Sequence, residues 1–284
     1  MPTFDRQTLA NAEQTQNRRN VYTFSKNFNS TVTNGAVTQW TSTGIPGAGV
    51  NTGGVAYTGA QCLSTTAGAV YFDAAPTNHK RFLRAVTALN SAGFNGTLIV
   101  LDRLVQFPGV NHATIGTTGI VYDPGLPRYT TGVGVMAFLE VTTGLNAVAH
   151  TVQLTYTDQG GNSSTTSAMT PIASSTATRI PFASLYFSLG TGDTGVRGVT
   201  NVIVASGGAP TGTSCLVLAK PICEVPIVGL SGSATAGRVD LLDKEMDLPQ
   251  IEDGACLMFI TIASGVFSAP DVRGTLRSFL AKTS

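Results

Sequence analysis

The stretch from Arg128 to Ile172 constrains the fold of this chain most. Within it, Val152, Leu154 and Tyr156 alternate with Gln153, Thr155 and Thr157, and Gln159-Gly160-Gly161-Asn162 comes next. Strict alternation puts apolar residues on one face of a pleated strand and polar ones on the other. A Gly-Gly-Asn turn after it marks a half-buried antiparallel strand entering a hairpin. Upstream, Val133, Val135 to Leu139 and Val141 make a second apolar run, separated from the first by a linker holding Gly144 and Asn146. The pattern predicts β-architecture and carries no chemistry of its own.

The remaining chain repeats that theme. Val21 to Phe24 and Val37 to Trp40 read as short strands, and the glycine-rich segment from Thr43 to Gly54 reads as a loop. His79 to Leu89 alternates as a strand would. Thr97 to Val105 is apolar without interruption, as a strand covered on both faces is. These two are predicted to form a central hairpin turning at Gly93 to Gly96. Further strands are predicted at Thr178 to Phe182, Leu185 to Phe187, Val196 to Val204, Cys215 to Leu218 and Ala255 to Ala263. Gly237 to Met246 spaces Val239, Leu242 and Met246 as one side of a helix that Pro249 ends. The fold class implied is all-β, an antiparallel β-sandwich of jelly-roll type with one short C-terminal helix.

Residues 1–20 differ from the rest of the chain. Asp5 to Gln14 is polar and a fair helix former, but Leu9 is almost its only large apolar residue, so it cannot bury itself. The expectation is an N-terminal arm that orders against a partner, joined to a single elaborated β-domain over residues 21–284. Arg18 and Arg19 are read as charges on a solvated arm.

Only 12% of the 284 residues are charged, against about 25% in an ordinary soluble domain, and the net charge is +1. That balance argues against general electrostatic binding to nucleic acid or to an acidic membrane. Met1 to Arg6 lacks the apolar run of a signal peptide, and no stretch approaches the ~18 apolar residues of a membrane span. Assembly in a cytoplasm is therefore expected. Cys62, Cys215, Cys223 and Cys256 show neither zinc spacing nor the density of a disulfide scaffold, and are read as buried free thiols.

No catalytic, cofactor-binding or metal-binding residue is assigned. Gly190-Thr191-Gly192-Asp193-Thr194-Gly195 matches a dinucleotide fingerprint in letters, but a β-branched strand stands after it where a helix is required, so it reads as a turn. His79, His112 and His150 stand apart without a second ligand at metal spacing. Asp240, Asp243, Glu245, Asp247, Glu252 and Asp253 read as a solvated face and turn, lacking the order of a calcium loop. Asn29, Asn95 and Asn162 in glycosylation-like triplets read as turn residues. Asp102-Arg103 inside an apolar strand implies a structural ion pair or an interface contact, since an unpaired buried charge costs several kcal/mol.

Several segments together resemble a family, the virion structural proteins of tailed bacteriophages. They are Leu98 to Leu104, Leu126 to Thr130 with Gly132 to Leu139, Val152 to Gln159, Asp193 to Arg197, Leu218 to Pro221 and Leu248 to Leu257. The resemblance spans roughly residues 80 to 260 and rests on packing and turn segments. It implies a non-enzymatic, β-rich virion protein, a capsid decoration or cement protein on the phage head. Its implied partners are the major capsid protein and neighbouring copies of itself, in a homo-oligomer such as a trimer or dimer. Another reading is a tail- or fibre-associated receptor- or glycan-binding protein presenting Trp40, Tyr57, Tyr71, Tyr122 and Tyr129 from loops. A depolymerase would need a carboxylate pair drawn from Asp73, Asp102, Asp123 and Asp193.

Overall fold

Runs of Val, Ile, Thr and aromatic residues dominate the chain, and every regular element among the described residues is a β-strand. The computed structural model describes residues 19–27, 32–51, 54–90, 95–163, 165–172, 174–181, 184–227, 229–230, 233–234, 237–241, 248–267 and 271–282. In chain order the strands begin with β1 (Arg19–Asn27), β2 (Val32–Thr38), β3 (Thr43–Ile45), β4 (Ala60–Gln61), β5 (His79–Asn90), β6 (Asn95–Asn111) and β7 (Gly116–Gly119). Next come β8 (Met136–Thr143), β9 (His150–Asp158), β10 (Thr165–Thr166), β11 (Thr170–Ile172), β12 (Val196–Ser206) and β13 (Thr213–Ile227). The last are β14 (Gly229–Leu230), β15 (Ser233–Ala234), β16 (Gly237–Asp240), β17 (Gln250–Ile251), β18 (Leu257–Phe267) and β19 (Asp271–Lys282). The predicted arm lies almost wholly outside the described residues; its last residues, Arg19 and Asn20, already belong to β1.

Three antiparallel sheets make up the sandwich-like body. The first has the order β16-β5-β19-β1-β3 with β17 also on β5, the middle one β2-β18-β6-β13-β8 with β4 on β6, and the third β10-β9-β12-β7 with β11 on β9. The long strand β6 holds the middle sheet together, and its residues from Leu98 to Pro108 are buried on both faces, as the uninterrupted apolar run predicts. On one face Leu98 and Val100 meet Phe24, Leu83, Val86 and Leu276 of the first sheet. Phe24 stacks on Phe259 with ring centroids 4.3 Å apart, joining β1 to β18. Ile99 and Leu101 on the other face join Val152, Leu154 and Tyr156 of the third sheet in a larger core.

The middle sheet closes on itself. Its outer strands β2 and β8 are not paired directly; Thr178 to Ile180 runs between them. On one side Val141 N–H donates to Arg179 O (2.9 Å) and Thr178 N–H to Val141 O (2.8 Å). On the other, Thr38 N–H donates to Thr178 O (2.9 Å) and Ile180 N–H to Ala36 O (3.1 Å). This short segment satisfies both edges, which removes the exposed ladder that an open sheet would present. The strand predicted at Thr178 to Phe182 is thus a bridging strip with an isolated pairing of Val37 to Arg179.

Several predicted features differ from the structure, among them the loop at Thr43–Ile45, which is β3, and the strand at Leu185 to Phe187, which belongs to no strand. β5 and β6 do not form a hairpin: β5 pairs with β19, β16 and β17 in the first sheet, and β6 with β13, β18 and β4 in the middle one. Both strands have a face to bury, and each finds its partners far away in sequence, β19 for β5 and β13 and β18 for β6. The predicted helix begins instead as β16, where Val239 stands opposite Val86; residues 242–247 of that prediction lie outside the described set. Pairing with β5 hydrogen-bonds the backbone and buries Val239, and that overrides the helical spacing. The phase of β5 is also not constant. A bulge opposite Arg277 and Ser278 shifts its register, so Leu83 and Val86 both enter the core although they lie an odd number of positions apart.

Candidate functional site

The densest polar cluster grows from Asp102 and Arg103 in β6, both fully buried. Successive residues of a strand point to opposite faces, so these neighbours do not pair with one another. Asp102 faces Arg128, whose Nε and Nη2 donate to its two carboxylate oxygens at 2.9 and 2.6 Å. Cys256 N–H also donates to Asp102 Oδ1 at 2.9 Å, and Arg128 Nη2 donates to Cys62 O at 3.0 Å. Burial pushes the Asp102 carboxyl upward while Arg128 opposes it, and Arg128 itself is held protonated by Asp102 against the cost of its own burial.

Arg103 turns to the inside of the closed sheet. Its Nη1 donates to Glu140 Oε2 at 3.1 Å, and its Nη2 to Asn51 Oδ1 at 2.8 Å and Gln106 Oε1 at 2.9 Å. The guanidinium lies 4.5 Å from the Trp40 ring centre. Met258 Sδ and Cys215 Sγ lie at 3.6 and 3.8 Å, and Thr38 hydroxyl donates to the other Glu140 oxygen. Register explains the convergence: Cys215 stands opposite Glu140, and Thr38 stands opposite Ile260, which shares a face with Met258. β2, β18, β6, β13 and β8 therefore all turn side chains toward the same ion pair. Burial works against the Arg103 cation, and the facing Glu140 carboxylate together with Cys62 and Cys215 outweighs it, so its pKa is raised. The arrangement holds strands together, and its acids and bases are already committed to one another.

The predicted isolation of the histidines fails for two of them. His112, just after β6, and His150, at the start of β9, meet with Nδ1 and Nε2 2.9 Å apart. His150 Nδ1 donates to Val148 O at 2.9 Å, which leaves its Nε2 to accept from His112 Nδ1–H. His112 Nε2 then accepts from the Ser214 hydroxyl at 2.8 Å. Burial and the neighbouring His150 lower His112 to about 4, so the His112 ring is neutral near pH 7. The chain ties the middle sheet to the third. Sequence could not show this contact, because the two rings meet only when separate sheets pack.

The other sequence candidates separate. Gly190 to Gly195 is a turn entering β12, as predicted; Asp193 N–H donates to Gly190 O at 3.0 Å, and a Cβ on Gly195 would overlap the carbonyl of Gly132. Asp193 accepts from Tyr156 hydroxyl at 2.6 Å, while Asp123 accepts from the amides of Gly125 and Val199 at 2.8 and 2.9 Å. With Asp102 held by Arg128, these carboxylates each serve a local backbone or side-chain contact. Trp40 is buried against Arg103 and leaves the set of loop-exposed aromatics, while Tyr71 and Tyr122 are exposed. Asp253 caps Ala75 N–H at 2.9 Å, and residues 243, 245 and 247 of the acidic cluster lie outside the described set. An open cleft of about 360 Å³ runs between Met136, Leu185, Tyr186, Leu189, Asp193 and Thr194.

The third sheet presents an outer face of a different kind. Thr151, Gln153, Thr155 and Thr157 of β9 point away from the core. Across the ladder stand Asn201, Ile203 and Ala205 of β12, and beyond them Thr117 and Gly119 of β7. Thr166 and Pro171 face Thr155 and Thr151 from the other side. No Asp, Glu, Lys or Arg stands among these paired positions.

No family model matches the chain, and no curated protein matches it. Among solved structures, the infectious bursal disease virus VP2 subviral particle aligns at 9% identity over 94% of this chain and 81% of that chain, with a TM-score of 0.16. The infectious bursal disease virus Gt strain structure aligns at 10% identity over 94% and 82%, with a TM-score of 0.15. Likenesses of that size carry no argument about this chain.

Proposed function

We propose that this chain is a non-enzymatic structural subunit of a virus particle, a decoration or cement protein on the outside of a tailed-phage head. The observation that carries the proposal is the outer face of the third sheet, whose paired positions carry no charge, with Arg197 beyond them at the start of β12. A surface of Thr, Gln, Asn and Ile loses little when water leaves it, because no full charge is desolvated. The sequence resemblance to tailed-phage virion proteins supports the same reading. In it, residues 21–284 form one platform, and the polar arm before them orders on docking to a neighbouring subunit or to the major capsid protein. Stable attachment needs on the order of 1,000 Å² of interface, which a broad sheet face and an arm can supply together.

The test is reconstitution. Heads stripped of this chain are expected to break at lower temperature and in low salt, and purified chain added back is expected to restore them. Stripped heads as resistant as complete ones would end the cement reading. A chain lacking residues 1–18 is expected to keep its β-type circular dichroism and to bind heads at least ten-fold more weakly. Loss of the β signal in that variant would contradict the arm.

A further inference from the structure

The bulge at Leu104 brings two cysteines together. β13 pairs Leu218 with Val105 and Ala219 with Arg103, so Leu104 is the extra residue of β6. On the opposite edge of β6, Leu104 O accepts from Cys62 N–H at 2.8 Å and Arg103 N–H donates to Cys256 O at 2.9 Å. The segment after β4 and the segment before β18 therefore meet end to end along one strand edge, with Cys62 and Cys256 at the junction. One ion pair holds both cysteine backbones, Arg128 on Cys62 O and Asp102 on Cys256 N–H. The two buried thiols are electrostatic neighbours, each the largest influence on the other.

From this geometry we infer that Cys62 and Cys256 are a redox pair that closes to a disulfide when the chain meets an oxidant such as a peroxide. Cys62 is the attacking sulfur. The neighbouring Cys256 thiol holds its pKa down to about 7 against burial, with Arg103 and Arg128 helping, whereas Cys256 is raised. Burial pushes both Cys215 and Cys223 up to about 12, so neither competes as a thiolate. Cys62 is buried but its neighbours Gln61 and Leu63 are exposed, which places the thiol one residue from solvent on either side.

The chemistry balances in two steps. The Cys62 thiolate attacks one oxygen of hydrogen peroxide; the O–O bond breaks, and the departing hydroxide takes up the thiol proton as water, leaving a sulfenic acid. The Cys256 sulfur then attacks the Cys62 sulfur, the S–O bond breaks, and the hydroxide released takes the Cys256 proton as a second water. Two electrons pass from the thiols to the peroxide, and one S–S bond forms. The closed bridge would tie the segment after β4 to β18, independently of the function proposed above.

The experiment treats the folded full-length chain with hydrogen peroxide, quenches, alkylates free thiols in denaturant and maps unreduced peptides by mass spectrometry. The expected result is loss of Cys62 and Cys256 together as one cross-linked peptide, with Cys215 and Cys223 alkylated. The Cys215→Ser/Cys223→Ser variant is expected to cross-link at the same rate. In Cys256→Ser, which cannot resolve the intermediate, dimedone is expected to label Cys62. All four thiols remaining alkylatable, a cross-link between another pair, or no dimedone adduct on Cys62 would overturn the inference.

Discussion

Asp102 and Arg103 are adjacent in sequence, yet their pairing partners lie on different elements. The sequence showed the anomaly, two charges inside an apolar strand, but not its resolution, since Arg128 and Glu140 are 26 and 37 residues away. Removing Glu140 alone leaves the Arg103 cation buried without its counter-charge, so Glu140→Ala is expected to cost about 3–5 kcal/mol in urea unfolding. The paired change Arg103→Met with Glu140→Leu removes both charges and should recover most of that loss; a double variant as unstable as the single one would contradict this account. His112 gives a second test. Its folded pKa of about 4 lies below the ordinary 6.5, so the folded state resists a proton that the unfolded chain accepts. That stability is intact above pH 6.5 and is lost as pH falls toward 4, by about 3 kcal/mol at most for the shift indicated. The pH dependence of wild type minus His112→Gln between pH 7 and 4 should show this slope, and parallel curves would refute it.

Among the elements, those whose pattern is local were legible. β9 reads the same in sequence and structure, buried and half-exposed residues alternating from His150 to Asp158, and Asp158 pins the turn after it by accepting from Asn162 N–H at 2.8 Å. Pairing was not legible. Periodicity tells a strand which face to bury, but not which strand stands beside it, and so the expected hairpin of β5 and β6 was wrong. β19 was missed even though Val272, Gly274, Leu276 and Ser278 alternate in burial with Asp271, Arg273, Thr275 and Arg277. The strip from Thr178 to Ile180 is legible only in three dimensions, because its role is to satisfy two edges at once. Proline at position 180 removes the N–H that donates to Ala36 O. In Ile180→Pro, hydrogen exchange is expected to quicken at the amides of Thr38 and Val141, with β9 unchanged. Unaltered protection at Thr38 would show that the strip does not close the sheet.

At the scale of the whole molecule, a chain already poor in charge draws part of its charge inward. Lys26, Arg81, Asp102, Arg103, Arg128, Glu140 and Asp158 are all buried, so these charges do not reach the surface of a chain only 12% charged. Composition made the deficit legible; only the registers show that the paired positions on the outer face of β9 and β12 carry no charge. Placing charge there should matter to assembly and not to folding. Gln153→Lys with Thr155→Lys is expected to leave the urea midpoint nearly unchanged and to weaken binding to stripped heads at least ten-fold; equal binding would remove that face from the interface. The proposed role on the phage head is tested most directly by a density map of the intact particle. This chain is expected on the outside of the head, with the outer face of β9 and β12 against a neighbouring subunit. A position at the tail tip, or that face open to solvent in every copy, would contradict it.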